Sequence, residues 1–340
     1  MRRPLLLAVL AAALPLGRPA AAQTPGYHLI RRLPLPGAVH WDYLAVDPSR
    51  RRLFIAHDTE VLVLEADSGR VVGHIPDTWG VHGVALAPEV GRGYTSNGRD
   101  SSVTIFDLES LQTVNRIQVT GQKPDAIVYD SVTRRVFTMN GGSANATALD
   151  AATGRVVGTI DLSGTPEFAV ADGRGRLFVN LEDRDSVASI DTRTLALQSR
   201  WAVPSCNEPT AMALARKQRQ LFIGCRNRIL AILDADRGNE VTTLPIGAGV
   251  DGVVFDSTFQ RALSANGDGT LTVVAPDPSG WYSVVQTVPT ALGARTLALD
   301  PATHHVFLVT AQFQPATAGT PPGSRPQPVP GTFTLLEYGP

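Results

Sequence analysis

The chain has 340 residues, with 30 lysines and arginines against 31 aspartates and glutamates, a formal net charge of −1 and 2 cysteines. Nucleic-acid binding rests on clustered positive charge, so this balance argues against a nucleic-acid partner. Neither C-x-x-C-H nor a pair of C-x-x-C motifs occurs, which leaves no haem-attachment or cysteine-ligated metal motif. No P-loop, dinucleotide fingerprint or serine nucleophile elbow is present either; Gly91-x-Gly93 falls inside a strand pattern.

The N-terminus reads Met1-Arg2-Arg3, an apolar run from Leu5 to Leu16, and the small-residue stretch Ala20-Ala21-Ala22. This is the pattern of a secretory signal peptide over residues 1–22, cleaved before Gln23. Its apolar run is too short to span a bilayer and no cysteine follows it to carry a lipid, so no transmembrane anchor is expected. The expected location is periplasmic or extracellular; the alternative is an uncleaved N-terminal anchor. Loss of Arg2, Arg3 and Arg18 leaves 27 basic against 31 acidic side chains, a net charge of −4.

The segment Tyr27 to Leu33 resembles a lone strand, and Trp41 to Ile75 reads as four. These are WDYLAV, then RLFIA after the turn Asp47-Pro48-Ser49, then VLVLEA, then RVVGHI after Asp67-Ser68-Gly69. Short β-branched and aromatic runs bounded by Asp, Gly, Pro and Ser are strand signatures. The unit recurs with its second-strand bulky residue at Phe54, Tyr94, Phe137, Phe178, Phe222, Leu263 and Phe307, at intervals of 40 to 44 residues. Such a period predicts an all-β, seven-bladed β-propeller of four-stranded antiparallel blades, filling residues 23–340 as one domain and expected to be monomeric. The seventh repeat supplies only three strands, so the strand at Tyr27–Leu33 is predicted to complete it and close the ring. The turn aspartates Asp47, Asp130, Asp172, Asp256 and Asp300 are expected to bond backbone N–H groups and carry no function.

Within the last repeat, residues 312–331 are rich in proline and glycine, which favours extended, irregular backbone. This stretch is either a surface loop or a lid over the central opening. Cys206 and Cys225 flank the first hairpin of the fifth repeat on one face of the blade. In an exported protein that placement predicts a disulfide.

Five residues before each turn position stands Asp42, His82, Asp125, Glu167, Thr210, Asp251 or Arg295, a polar residue in every blade. Three residues after each bulky position stand His57, Asn97, Asn140, Cys225, Asn266 and Thr310, with Asn180 one residue earlier in blade four. Connections in an up-and-down blade alternate between faces, so both sets are expected on one face. The first should lie near the axis and the second around it, a polar funnel with Glu182, Asp183 and Asp268 close by. Asn-Gly pairs such as Asn97-Gly98 are also ordinary turn formers. Four carboxylates and one arginine in a small ring call for protons, a cation or a ligand in compensation. Candidate ligand-binding residues are therefore Asp42, His57, His82, Asn97, Asn140, Asn180, Asn266 and Arg295. Candidate metal ligands are Asp42, Asp125, Glu167 and Asp251, an oxygen-rich set suited to calcium, magnesium or manganese rather than structural zinc.

Blocks such as Lys123-Pro124-Asp125-Ala126-Ile127, Arg135-Val136-Phe137 and Asp150 to Val157 resemble the YVTN-type β-propeller repeat proteins exported by bacteria. These lie within the wider lactonase-like and nitrite-reductase-like assemblage. The resemblance covers residues 27–340 and implies seven blades and export. Lactonase-like relatives hold an axial divalent ion with acidic and amide side chains and hydrolyse cyclic esters, though no motif of theirs matches here residue by residue. The second reading of the ring residues is a metal-dependent lactonase or lyase, with His82 or Glu167 as general base and Arg295 holding a carboxylate. The reading preferred on the residues is a funnel that binds a small polar ligand or metal-linked anion. A scaffold for a protein partner is the third.

Overall fold

The computed structural model describes residues 26–37, 40–315 and 327–340; the expected signal peptide at 1–22 and the centre of the Pro-rich stretch lie outside them. Seven separate sheets, each of four antiparallel strands, follow one another around an axis. The first blade comprises Leu44–Asp47, Arg52–His57, Glu60–Glu65 and Val71–Ile75, the innermost strand first. Every two-residue step along a strand returns to the same face, so a single apolar pattern serves both neighbours of a blade. The aligned bulky residues from Phe54 to Phe307 are all but inaccessible to solvent. Burying each such side chain contributes about 1.5–3 kcal/mol relative to exposure.

Blades are also joined by polar clamps. The arginine that opens the second strand reaches the turn between third and fourth strands of the next blade. Arg92 Nη1 donates to the Ala152 carbonyl at 2.5 Å, Arg135 Nη1 to the Thr192 and Arg193 carbonyls at 2.5 and 2.9 Å, and Arg52 Nη1 to the Leu108 and Glu109 carbonyls. The turn aspartates act as expected: Asp47 Oδ1 accepts from the N–H groups of Ser49 and Arg50, and Asp172 Oδ1 from those of Arg174 and Arg176.

The last blade is built from both ends of the chain. Its sheet runs Leu297–Leu299, Val306–Thr310 and Thr334–Gly339, and its outermost strand is His28–Pro34. Leu33 pairs with Leu335 and His28 with Gly339, with a bulge between Leu29 and Arg31. Arg31 forms an ion pair with the buried Glu337. Just ahead of the strand, Tyr27 is 1% exposed and exchanges two backbone-to-amide hydrogen bonds of 2.8 Å with Gln286 of blade six. The N-terminal strand therefore closes the ring and also grips the preceding blade.

Cys206 and Cys225 form a disulfide with their Cα atoms 5.3 Å apart. The described ends of the Pro-rich stretch pair as a short antiparallel ladder. Phe313 bridges Pro328, Gln314 N–H donates to the Gln327 carbonyl at 2.8 Å, and Val329 N–H to the Gln312 carbonyl at 2.7 Å. The base of this stretch is thus ordered, where its composition suggested irregular backbone.

Candidate functional site

The residues at the repeated axial position share a backbone device. In blades two to six the pairing of the innermost strand slips around them: between Val81 and Gly83, Pro124 and Ile127, Pro166 and Ala169, Pro209 and Ala211, and Val250 and Gly252. In blade one the same effect ends the strand early, at Leu44 rather than the expected Trp41, because Asp42 and Tyr43 together oppose Ala56. A bulge adds one unpaired residue to a strand and re-aims its side chain. Here the re-aimed residues are Asp42, His82, Asp125, Glu167, Thr210 and Asp251.

The ring is only partly self-neutralised. His82 Nδ1 lies 2.6 Å from Asp42 Oδ2 and 3.7 Å from Asp125 Oδ1, and Arg295 Nε lies 2.5 Å from Asp251 Oδ2. Thr210 is buried and donates to the Val250 carbonyl at 2.8 Å, which takes it out of the ring's chemistry. Glu167 makes no hydrogen bond or ion pair with any described residue, and Asp125 has only the more distant contact to a His82 already bonded to Asp42. Burial, then the charges of Asp125, Asp251, Glu182 and Asp42, push the Glu167 carboxyl up to about 10. Burial likewise raises Asp125 to about 7, against the opposing pull of His82 and with help from Asp42, Asp251 and Glu182. For His82 burial disfavours the cation, but the Asp42 hydrogen bond and the Asp125 charge outweigh it and push the imidazole up to about 9.

Two aromatic residues absent from the expected site directly follow ring residues and touch each other. Tyr43 of blade one and Phe168 of blade four meet edge to face with centroids 5.1 Å apart. Blades one and four are not neighbours, so the rings meet across the axis. Tyr43 is 9% exposed, and its hydroxyl has no hydrogen-bond partner among the described residues. Burial, followed by the charges of Asp125, Asp251, Glu167 and Asp42, holds the phenol well above its usual range. Both aromatics follow a ring residue directly, at a repeat position held elsewhere by Gly83, Ala126, Ala211, Gly252 and Thr296. That contrast was the available signal.

The second set of residues does not line an open funnel, contrary to expectation. Asn97, Asn140 and Asn266 are 0% exposed and turn into their own blades. Asn97 Nδ2 donates to Ser102 and Thr104 at 3.0 Å each while Thr95 donates to its Oδ1 at 2.8 Å. Asn140 makes the same bonds with Asn145, Thr147 and Thr138, and Asn266 with Thr270, Thr272 and Ser264. A buried amide satisfied on both ends ties strands two and three together and has no capacity left for a ligand. Asn180 Nδ2 donates to the Ala211 carbonyl at 3.1 Å in the adjacent blade. His57 is buried and stacked on Phe333, with centroids 4.8 Å apart.

Beside the ring, between blades six, seven and one, lies a cavity of about 660 Å³ walled by Trp41, Asp251, Leu292, Arg295, Phe313 and Pro328 among others. Trp41 packs against Phe313 at 6.3 Å and Phe333 at 5.6 Å, so the ordered base of the Pro-rich stretch forms part of the wall. Among the described residues, Asp42, His82 and Asp125 are the set whose ligand atoms converge, within 4.8 Å of one another. Glu167 and Asp251, also expected as metal ligands, do not belong to that set.

No family model matches the chain, and no curated protein matches it. Solved structures do. A chain in the crystal structure of a mitotic checkpoint complex is 18% identical with a TM-score of 0.73, over 89% of this chain and 96% of that one. The WD40 repeats of RRP9 are 10% identical with a TM-score of 0.75, over 92% and 97%, and U3-55K is 10% identical with 0.74, over 91% and 98%. At such identities the likeness is one of architecture: the chain is a seven-bladed β-propeller.

Proposed function

We propose that the axial funnel binds a small polar ligand, and that the surplus acidity of the ring is matched by that ligand or by a divalent cation accompanying it. The observation that carries this is that Asp125 and Glu167 have no arginine or lysine partner among the described residues, in a ring whose Asp251 and Arg295 wall a cavity of ligand size. Calcium, magnesium or manganese would take Asp42, His82 and Asp125, displacing the proton between His82 Nδ1 and Asp42. Binding is preferred over hydrolysis because no recognised catalytic motif accompanies the ring. The scaffold alternative draws support from the WD40 likeness, and it predicts an inert ring. The disulfide fits an oxidising, exported location, periplasmic or extracellular.

The test is a set of thermal melts of the parent and of Asp125→Ala/Glu167→Ala with EDTA, calcium and manganese, followed by a fragment screen on both. Ions or fragments that stabilise the parent and lose their effect in the double variant support the reading. Coincident curves with every ion remove the cation, and a screen without a variant-sensitive hit removes the ligand and leaves the scaffold.

A further inference from the structure

The cavity between blades six, seven and one differs in charge from the ring beside it. Among the described residues its walls carry Arg226 and Arg295 against the carboxylate of Asp251, so with His40 neutral the lining has an excess of one positive charge. Both guanidinium groups are held by one edge. Arg295 Nε lies 2.5 Å from Asp251 Oδ2, and Arg226 Nε lies 2.8 Å from Glu208 Oε2. Neither residue's Nη1 or Nη2 makes a hydrogen bond to a described residue. A guanidinium presents five N–H donors in a planar fork, so the Nη end stays open to a second anion in bidentate geometry. The side chains of Arg226 and Glu208 are 59% and 50% exposed, and exposed pairs contribute little, so a ligand anion competes for Arg226 at small cost.

Much of the remaining wall is apolar side chain or bare backbone. Leu292 is 53% exposed although it is large and apolar, and it lines the cavity together with Trp41 and Phe313. Gly267 N–H donates to the Gly249 carbonyl at 2.9 Å, Gly293 N–H to the Gly267 carbonyl at 2.8 Å, and Arg295 N–H to the Gly293 carbonyl at 2.9 Å. Gly249 and Gly293 have φ of 71° and 79°, where a side chain is disfavoured. This relay keeps one wall free of side chains and fixes the backbone from which Arg295 projects. We propose that the cavity takes an organic carboxylate, its negative charge on the open Nη ends of Arg295 and Arg226 and its apolar ring or chain against Trp41, Leu292 and Phe313. An alkylammonium would add to the excess of positive charge on these walls, and a purely apolar guest would leave both forks unanswered.

This assignment rests on the ligand-binding reading, in the form in which a cation rather than the ligand answers the acidic ring, and the experiment separates the two. Three skeletons, phenethyl, hexyl and cyclohexylmethyl, are each titrated as carboxylate, primary amide and amine by calorimetry and ligand-observed NMR, in Tris rather than phosphate. The expected result is that the carboxylate of at least one skeleton binds roughly ten-fold or more tightly than its amide and amine, the worth of one charge-assisted hydrogen bond. The preference is lost in Arg226→Gln/Arg295→Gln and kept in Lys123→Gln, which removes an exposed cation outside the lining. Arg295→Lys keeps a charge beside Asp251 but not the fork, and it should weaken the preference in a protein whose thermal melt is unchanged. Amides or amines binding as tightly as carboxylates overturn the carboxylate and leave the funnel reading standing. A carboxylate preference that survives in the double arginine variant, or falls equally in Lys123→Gln, overturns the seat. Carboxylates that bind nowhere overturn the proposal, and a fragment screen equally without hits overturns the reading beneath it.

Discussion

Glu167 is an acid more stable with its proton than without it, and this has a thermodynamic sign. The unfolded chain releases that proton near pH 4.5, the folded protein near 10, so between those values the folded state binds more protons and stability falls as pH rises. Asp125 adds a fall of the same sign up to about pH 7. His82 stabilises fully below its unfolded value near 6.5, and that contribution is lost as pH rises through about 9. The apo protein should therefore lose stability steadily from pH 5 to pH 9, and Glu167→Gln should flatten the profile and raise stability at pH 9. Denaturant titrations at pH 5, 7 and 9 check this; a parent that gains stability with pH contradicts it. The ring residues were legible because a repeat alignment puts one polar residue per blade at the same offset. The inward turn of the asparagines was not, since it depends on the pairing register. Its trace is a motif running across a hairpin: Thr95-x-Asn97 with Ser102-x-Thr104, repeated at Thr138-x-Asn140 with Asn145-x-Thr147.

Among the elements, the hairpin of strands two and three is the unit that these amides stabilise. Replacing Asn140 by Ala leaves the hydroxyls of Thr138 and Thr147 and the Asn145 amide short of partners inside the blade. The expected cost is about 1–3 kcal/mol in urea denaturation, with affinity for any funnel ligand unchanged. A loss of affinity without loss of stability would restore the asparagine to the binding site. In blade five the corresponding position is Cys225, where the disulfide ties the second strand to the loop before the first. Closing a loop of this length contributes roughly 3 kcal/mol, so reduction should lower the melting temperature, and unreduced mass spectrometry should find no free thiol. Strand existence and order were legible from composition. The early end of the first blade's inner strand was not, because the bulge at Asp42–Tyr43 serves the axis rather than local propensity.

At the scale of the whole molecule, closure depends on a seven-residue strand contributed from the far end of the chain. Beginning the chain at Gly37 removes the outer strand of blade seven, the Arg31–Glu337 ion pair and the Tyr27–Gln286 contact with blade six. Glu337 then keeps its contact with His305 Nδ1 at 2.6 Å but no arginine. Such a chain should melt at a markedly lower temperature and associate through the exposed edge of Thr334–Gly339, as calorimetry and light scattering would show. A monomer with an unchanged melt would mean that blade-to-blade packing alone holds the ring. This strand was legible because the count of strands in the last repeat fell short by one.

The contact of Tyr43 with Phe168 has one more consequence. A propeller often suggests an unobstructed tube, yet two rings from non-adjacent blades meet across this one. A macromolecule resting over Trp41 and Phe313 would then cover the cavity they wall, and exchange of the small guest would report on the larger visitor.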